Sequence, residues 1–191
     1  ELISGFPPPL STNSESPYGV GYSKNESKTY TMGQSKIKAL PAGAHFGPND
    51  LIAFHDYDQG LAYAKEVNKP VMLDFTGITC VNCRKMEERV WVEDVVYNVL
   101  NDDVVLISLY VDDRKKLPKS EQYESELTGN NIKTYGHKWL EYQQLNYNTN
   151  AQPLYVIQNT EGEDISKPIG YTPDVEEYYD WLIKGVENFK K

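Results

Sequence analysis

Two strand-length apolar runs bracket the only two cysteines of the chain, and that arrangement restricts the fold more than any other feature of the sequence. Val71-Met72-Leu73-Asp74-Phe75 has the length and character of a strand. Val104 to Val111 is almost continuously apolar and rich in β-branched residues, as expected of a strand buried on both faces of a parallel or mixed sheet. Between them, Thr76-Gly77-Ile78-Thr79 leads into Cys80-Val81-Asn82-Cys83, and Arg84 to Trp91 has helical composition. A break is expected near Val92-Glu93-Asp94, with helix again through Val95, Val96, Val99 and Leu100. Strand, helix and strand complete a βαβ unit, so the expected class is α/β, a central mixed sheet flanked by helices.

The remaining elements extend this unit in both directions. Tyr57, Gly60, Leu61, Ala64 and Val67 fall at helical spacing and stop at Asn68-Lys69-Pro70. Residues 112 to about 134 are polar and charged and read as a surface insertion after the second central strand. Tyr135 to Asn146 is expected to be a helix burying Trp139, Leu140 and Leu145. Pro153 to Ile157 reads as a strand, and Asn159-Thr160-Glu161-Gly162 as the turn of a hairpin to a further strand around Ile165 to Ile169. Thr172-Pro173-Asp174 supplies an N-cap with Pro at the first helical position, before an apolar stripe of Val175, Tyr178, Tyr179, Leu182, Ile183 and Val186.

Residues 1–48, rich in Pro, Ser, Asn, Gly and Tyr, show neither helical nor strand periodicity and read as a linker or loosely packed arm, with docking or a strand or two left open. Residues 49–191 are the expected domain, and a chain of 191 residues needs only one core. A net charge of −9 opposes binding to nucleic acid or anionic lipid. The first residues lack the basic and apolar regions of a signal peptide, and the chain is expected to be a piece of something longer.

The cysteine count narrows the chemistry. Zinc would require Cys80 and Cys83 to recruit two of His45, His55 and His137, none of which has a paired ligand spacing. A disulfide closing so small a loop removes little unfolded-state entropy and is a poor staple. Redox chemistry or coincidence remains. Between a strand and a helix, the first cysteine sits where unpaired backbone N–H groups and the helix dipole favour a thiolate. Cys80 is therefore the candidate nucleophile and Cys83, one turn inside, the candidate resolving thiol; no cofactor is required.

Three further residues are candidates for this chemistry. Asp74 interrupts an apolar strand; either it is solvated, or it is buried with a raised pKa and exchanges protons with Cys83. Glu87 follows Cys83 by four residues, on the same helical face, where it either opposes thiolate formation or is a solvated helix carboxylate. Pro153 either carries a cis bond in a tight turn or simply initiates a strand.

With Asp74 six residues before Cys80, a CxxC opening a helix and Pro153 before the next sheet strand, the chain resembles the thioredoxin superfamily, although Thr76 and Thr79 stand where thioredoxin itself has tryptophans. Lys69 to Gly77, Cys80 to Glu87 and Leu109-Tyr110-Val111-Asp112-Asp113 more closely resemble the C-terminal domain of the DsbD family of membrane thiol-disulfide interchange proteins, in its Bacteroidetes-like form, over residues 50–188. That resemblance implies a periplasmic domain of a bacterial inner-membrane protein. Such a domain takes electrons from a membrane-embedded donor domain and passes them to disulfide-bonded or thioredoxin-like periplasmic partners. It also implies that Asp74 and Glu87 lie near the cysteines and raise the nucleophile's pKa, and that Pro153 is a cis-proline facing the disulfide. The alternatives are a disulfide oxidase or isomerase, or a non-catalytic binding module of the same fold.

Overall fold

The computed structural model describes residues 40–191, so the reading of residues 1–39 as an arm lies outside the described residues. Local signals set most element boundaries. Short strands β1 (Ala44–Phe46) and β2 (Ile52–Phe54) come first, joined by a turn through Pro48–Asp50. The sheet thus reaches back to Ala44, inside residues 1–48, where a strand or two was left open; β2 was not expected, three residues being too few to show a period. Helix α1 (Tyr57–Val67) starts where the Asp56 carboxylate accepts the Gln59 N–H, and closes at Asn68 in the left-handed region at φ 50°. Then come β3 (Val71–Thr76), α2 (Val81–Arg89), α3 (Asp94–Asp102) and β4 (Val105–Tyr110), with the helix break where it was expected.

The insertion contains a two-stranded hairpin, β5 (Tyr123–Glu124) and β6 (Asn131–Ile132), before α4 (Tyr135–Tyr147), β7 (Leu154–Gln158) and α5 (Val175–Phe189). Strand order in the main sheet is β1-β2-β4-β3-β7, with β4 parallel to both β2 and β3, and β1 and β7 antiparallel to their neighbours.

Period-two alternation divides the sheet's side chains between two cores. Val71, Leu73 and Phe75 of β3 join Ile107, Leu109 and Val156 against α1 and α4, with Ala64 and Trp139. Met72 joins Leu106, Tyr155 and Ile157 against α2, α3 and α5, with Met86, Val99 and Leu182. Trp91 is wholly buried in this second core and donates its indole N–H to the Tyr178 hydroxyl at 3.1 Å. Asp74 is in phase with Met72, so the alternation that builds the core also sends its carboxyl to the α2 face.

Three expectations are corrected by packing. Leu145 is exposed, because the buried face of α4 runs through Gly136, Trp139 and Gln143 at steps of three and four residues, which turns Leu145 outward. Buried Gln143 instead donates to the Ala151 carbonyl at 2.8 Å and accepts from Gln152 at 2.9 Å, tying α4 to the start of β7. The strand expected around Ile165 to Ile169 is reduced to isolated bridges, Gln158 to Asp164 and Tyr155 to Ile169. Here the Ser166 hydroxyl accepts the Ile157 N–H, and Pro168 has no N–H to offer. The cap of α5 is Asp174, whose carboxylate accepts the Glu177 N–H at 2.9 Å, so Pro173 precedes the cap and is not the first helical residue.

The insertion returns to the body at Gly136. A Cβ there would lie 2.6 Å from both the backbone N and O of Asp113 and 2.8 Å from the Val111 carbonyl, so helix and loop touch backbone to backbone. Gly136→Ala is therefore expected to destabilise the protein by about 1–3 kcal/mol in thermal or urea unfolding, despite alanine's better helix propensity. An unchanged midpoint would show that this contact gives way freely.

Candidate redox site

The end of β3 delivers the chain to a loop, Gly77 to Thr79, and Cys80 then caps α2, its sulfur accepting the Cys83 N–H at 3.2 Å. Cys80 and Cys83 are joined by a disulfide. Cys80 is half-buried and Cys83 is buried, 1% exposed, on the inward side of α2. One sulfur of the pair is thus presented to solvent and the other to the interior, beneath which lies the α2 face of the sheet.

Asp74 is 2% exposed on that face, opposite Ser108 of β4 and Tyr155 of β7. The Ser108 hydroxyl donates to its Oδ2 at 3.0 Å. Burial lifts its pKa to about 7, against the opposing pull of that hydrogen bond and of the Arg84 guanidinium. Glu87 is also buried, one turn beyond Cys83. Burial lifts it to about 8 although Arg84 Nη2 pairs with its Oε1 at 2.8 Å, and the neighbouring Asp74 raises it further. Both carboxyls are therefore buried, and the solvated readings of Asp74 and Glu87 do not hold. Arg84 also reaches the Thr76 hydroxyl at 3.3 Å, and so spans from the helix to the strand end.

Pro153 precedes β7 with a cis Gln152–Pro153 bond. Since Leu154 pairs with Phe75, the register sets Pro153 at the same end of the sheet as the loop leading to Cys80. Two residues given no role from sequence complete the site. Ser108 is the one polar break in the run Val104 to Val111, and parallel pairing with Asp74 is what makes that break meaningful. Asp112 accepts the backbone N–H groups of Ile78 at 2.8 Å and Thr79 at 3.1 Å, and the Thr79 hydroxyl at 3.2 Å, so it holds the loop before Cys80.

The three histidines are dispersed from the cysteines. His45 and His55 stack at 4.9 Å near the β1–β2 edge, and His137 lies on α4. Among the described residues no group of three or more His, Cys, Asp or Glu side chains could hold a metal ion, and no helix is long and apolar enough to cross a membrane.

A mixed sheet with helices on both faces and a cysteine pair at a strand-to-helix junction is a thioredoxin-like fold. A family described as thioredoxin-like matches residues 52–131. Among solved structures, the chain is similar to a DsbH oxidoreductase at 16% identity and a TM-score of 0.52, over 81% of this chain and 94% of that one. It is also similar to a thioredoxin from Thermus thermophilus (19% identity, TM-score 0.48, 68% and 83% of the two chains). The reduced DsbD C-terminal domain of Neisseria meningitidis gives 15% identity and a TM-score of 0.44, over 66% and 90%. No curated protein matches the sequence.

The two lifted carboxyls set a pH dependence with a definite sign. Unfolded, they titrate near 3.8 and 4.5; folded, near 7 and 8, so the folded chain binds more protons throughout the interval. Stability is then fully present below about pH 4 and declines as pH rises through the folded values to about 8. Urea unfolding at stepped pH should show this decline in the oxidised protein and a much flatter curve in Asp74→Asn/Glu87→Gln. A flat curve in the unsubstituted protein would mean that neither carboxyl is displaced.

Proposed function

We propose that the chain is a protein-disulfide reductase, the periplasmic relay domain of a bacterial inner-membrane protein, taking electrons from a membrane-embedded donor and passing them to disulfide-bonded or thioredoxin-like partners. The observation that carries this reading is the pair of near-neutral carboxyls, Asp74 and Glu87, packed behind a disulfide with one presented and one buried sulfur. The sequence resemblance to DsbD-type domains supports the relay role.

In this reading the reduced Cys80 thiolate attacks one sulfur of a partner disulfide. A Cys80–partner mixed disulfide forms, and the other partner sulfur leaves as a thiolate that takes up a proton. Cys83 gives its proton to Asp74 and attacks the Cys80 sulfur, releasing the second partner thiolate and closing the Cys80–Cys83 bond. Two electrons pass to the partner, and the membrane donor restores the dithiol by the reverse exchange. A carboxyl titrating near neutrality suits the proton step, because it can both accept and return a proton at working pH.

The roles are tested by trapping. Cys83→Ser should accumulate a mixed disulfide with a partner through Cys80, while Cys80→Ser should form none; equal trapping by both variants would overturn the assignment. Asp74→Asn should slow resolution about tenfold or more between pH 6 and 9, as expected for loss of a positioned proton acceptor. A resolution rate unchanged across that range would remove Asp74 from the mechanism.

A further inference from the structure

Asp112 is the first residue of the insertion, yet its side chain is spent on the redox loop. Its two carboxylate oxygens accept three hydrogen bonds, from the N–H groups of Ile78 and Thr79 and from the Thr79 hydroxyl. These are the last two backbone donors before Cys80. Gly77 explains how the carboxylate gets so close: a Cβ at Gly77 would lie 3.2 Å from Asp112 Oδ2 and 3.4 Å from the Cys80 Cβ. Asp112 and Cys80 therefore face each other across a residue with no side chain.

We propose that Asp112 is a positioning residue for the redox pair: its carboxylate fixes the loop that presents Cys80, and its charge opposes ionisation of the Cys80 thiol. This deepens the reductase reading and rests on Cys80 being the attacking sulfur. Two effects act in the same direction. An anion across Gly77 raises the energy of a thiolate, and the carboxylate occupies two N–H donors that a thiolate could otherwise recruit. Burial pushes the Asp112 carboxyl up, but the hydrogen bonds outweigh it and hold the group below the ordinary carboxylate range, so the charge persists at neutral pH. The other groups around the pair divide in sign: Arg84 on α2 favours a thiolate, whereas Glu87 on α2 and Asp74 on β3 oppose it whenever they are ionised. Unlike those two carboxyls, Asp112 stays charged across the neutral range.

The test is the pH midpoint of Cys80 alkylation by iodoacetamide, read by mass on the full reduced chain carrying Cys83→Ser. Asp112→Asn, which removes the charge and retains an acceptor, should move the midpoint down by about one pH unit, or tenfold more thiolate below it. Asp113→Asn, whose own carboxylate instead accepts the Lys115 N–H, should not move it. A merely structural role would lower the melting temperature and leave the midpoint in place. Where Asp112→Asn does not fold, Gly77→Ala carries the test: it crowds the carboxylate away and should move the midpoint in the same direction by a smaller amount. An unmoved midpoint in a folded Asp112→Asn, or in Gly77→Ala if that variant must stand in, overturns the proposal. The alkylation midpoint is measurable whether or not the chain reduces any partner, so the two readings fail separately.

Discussion

A carboxyl group in the middle of a fully buried central strand is the constraint on which the site depends. Every residue of β3 from Val71 to Thr76 is buried, so Asp74 is almost wholly removed from solvent, and among the described residues Ser108 is its direct hydrogen-bond donor. Leaving it ionised there is costly, and the chain meets that cost in part by sharing one guanidinium, Arg84, among Glu87, Thr76 and the electrostatic neighbourhood of Asp74. The result is a pair of carboxyls that titrate near neutrality, close under the helix that carries the cysteines. Replacing Asp74 by an apolar residue would remove a liability for folding; its presence makes sense as chemistry.

The loop before Cys80 is held by a different logic. It makes few contacts of its own, with Ile78 and Thr79 exposed, and takes its conformation from Asp112 at the end of β4. The same segment is pinned from the far side, where Gly136 of α4 packs on the Asp113 backbone. Loop, strand end and insertion thus form one connected unit around the redox pair, and the insertion is joined to the site where it departs and again where it returns.

Much of this was legible in the sequence because strong local signals and the tertiary structure agree. The run Val104 to Val111, the helix stop at Asn68-Lys69-Pro70, and the cysteines between a strand and a helix each specify an element without help from distant residues. What was missed depends on pairing. Ser108 is unremarkable until the parallel register sets it beside Asp74, and Asp112 is one more acidic residue in a charged stretch until the turn of the chain brings it to Ile78. Leu145 was expected inside because it is apolar, but the helix spends its buried face on Gly136, Trp139 and a hydrogen-bonded Gln143. Strands β1 and β2 are too short to carry a period of their own; β2 pairs on the edge of β4, and β1 pairs in turn on β2.

Whether the buried carboxyls bias the pair toward donating electrons is decided by its equilibrium reduction potential, measured against dithiothreitol or glutathione buffers and read by thiol alkylation and mass. Carboxyls and a fixed Asp112 charge that disfavour thiolate should leave the reduced form unstabilised, and the predicted value is near or below that of thioredoxin, about −270 mV. A potential close to that of DsbA, about −120 mV, would mean that the reduced form is stabilised after all and would contradict the reductase reading.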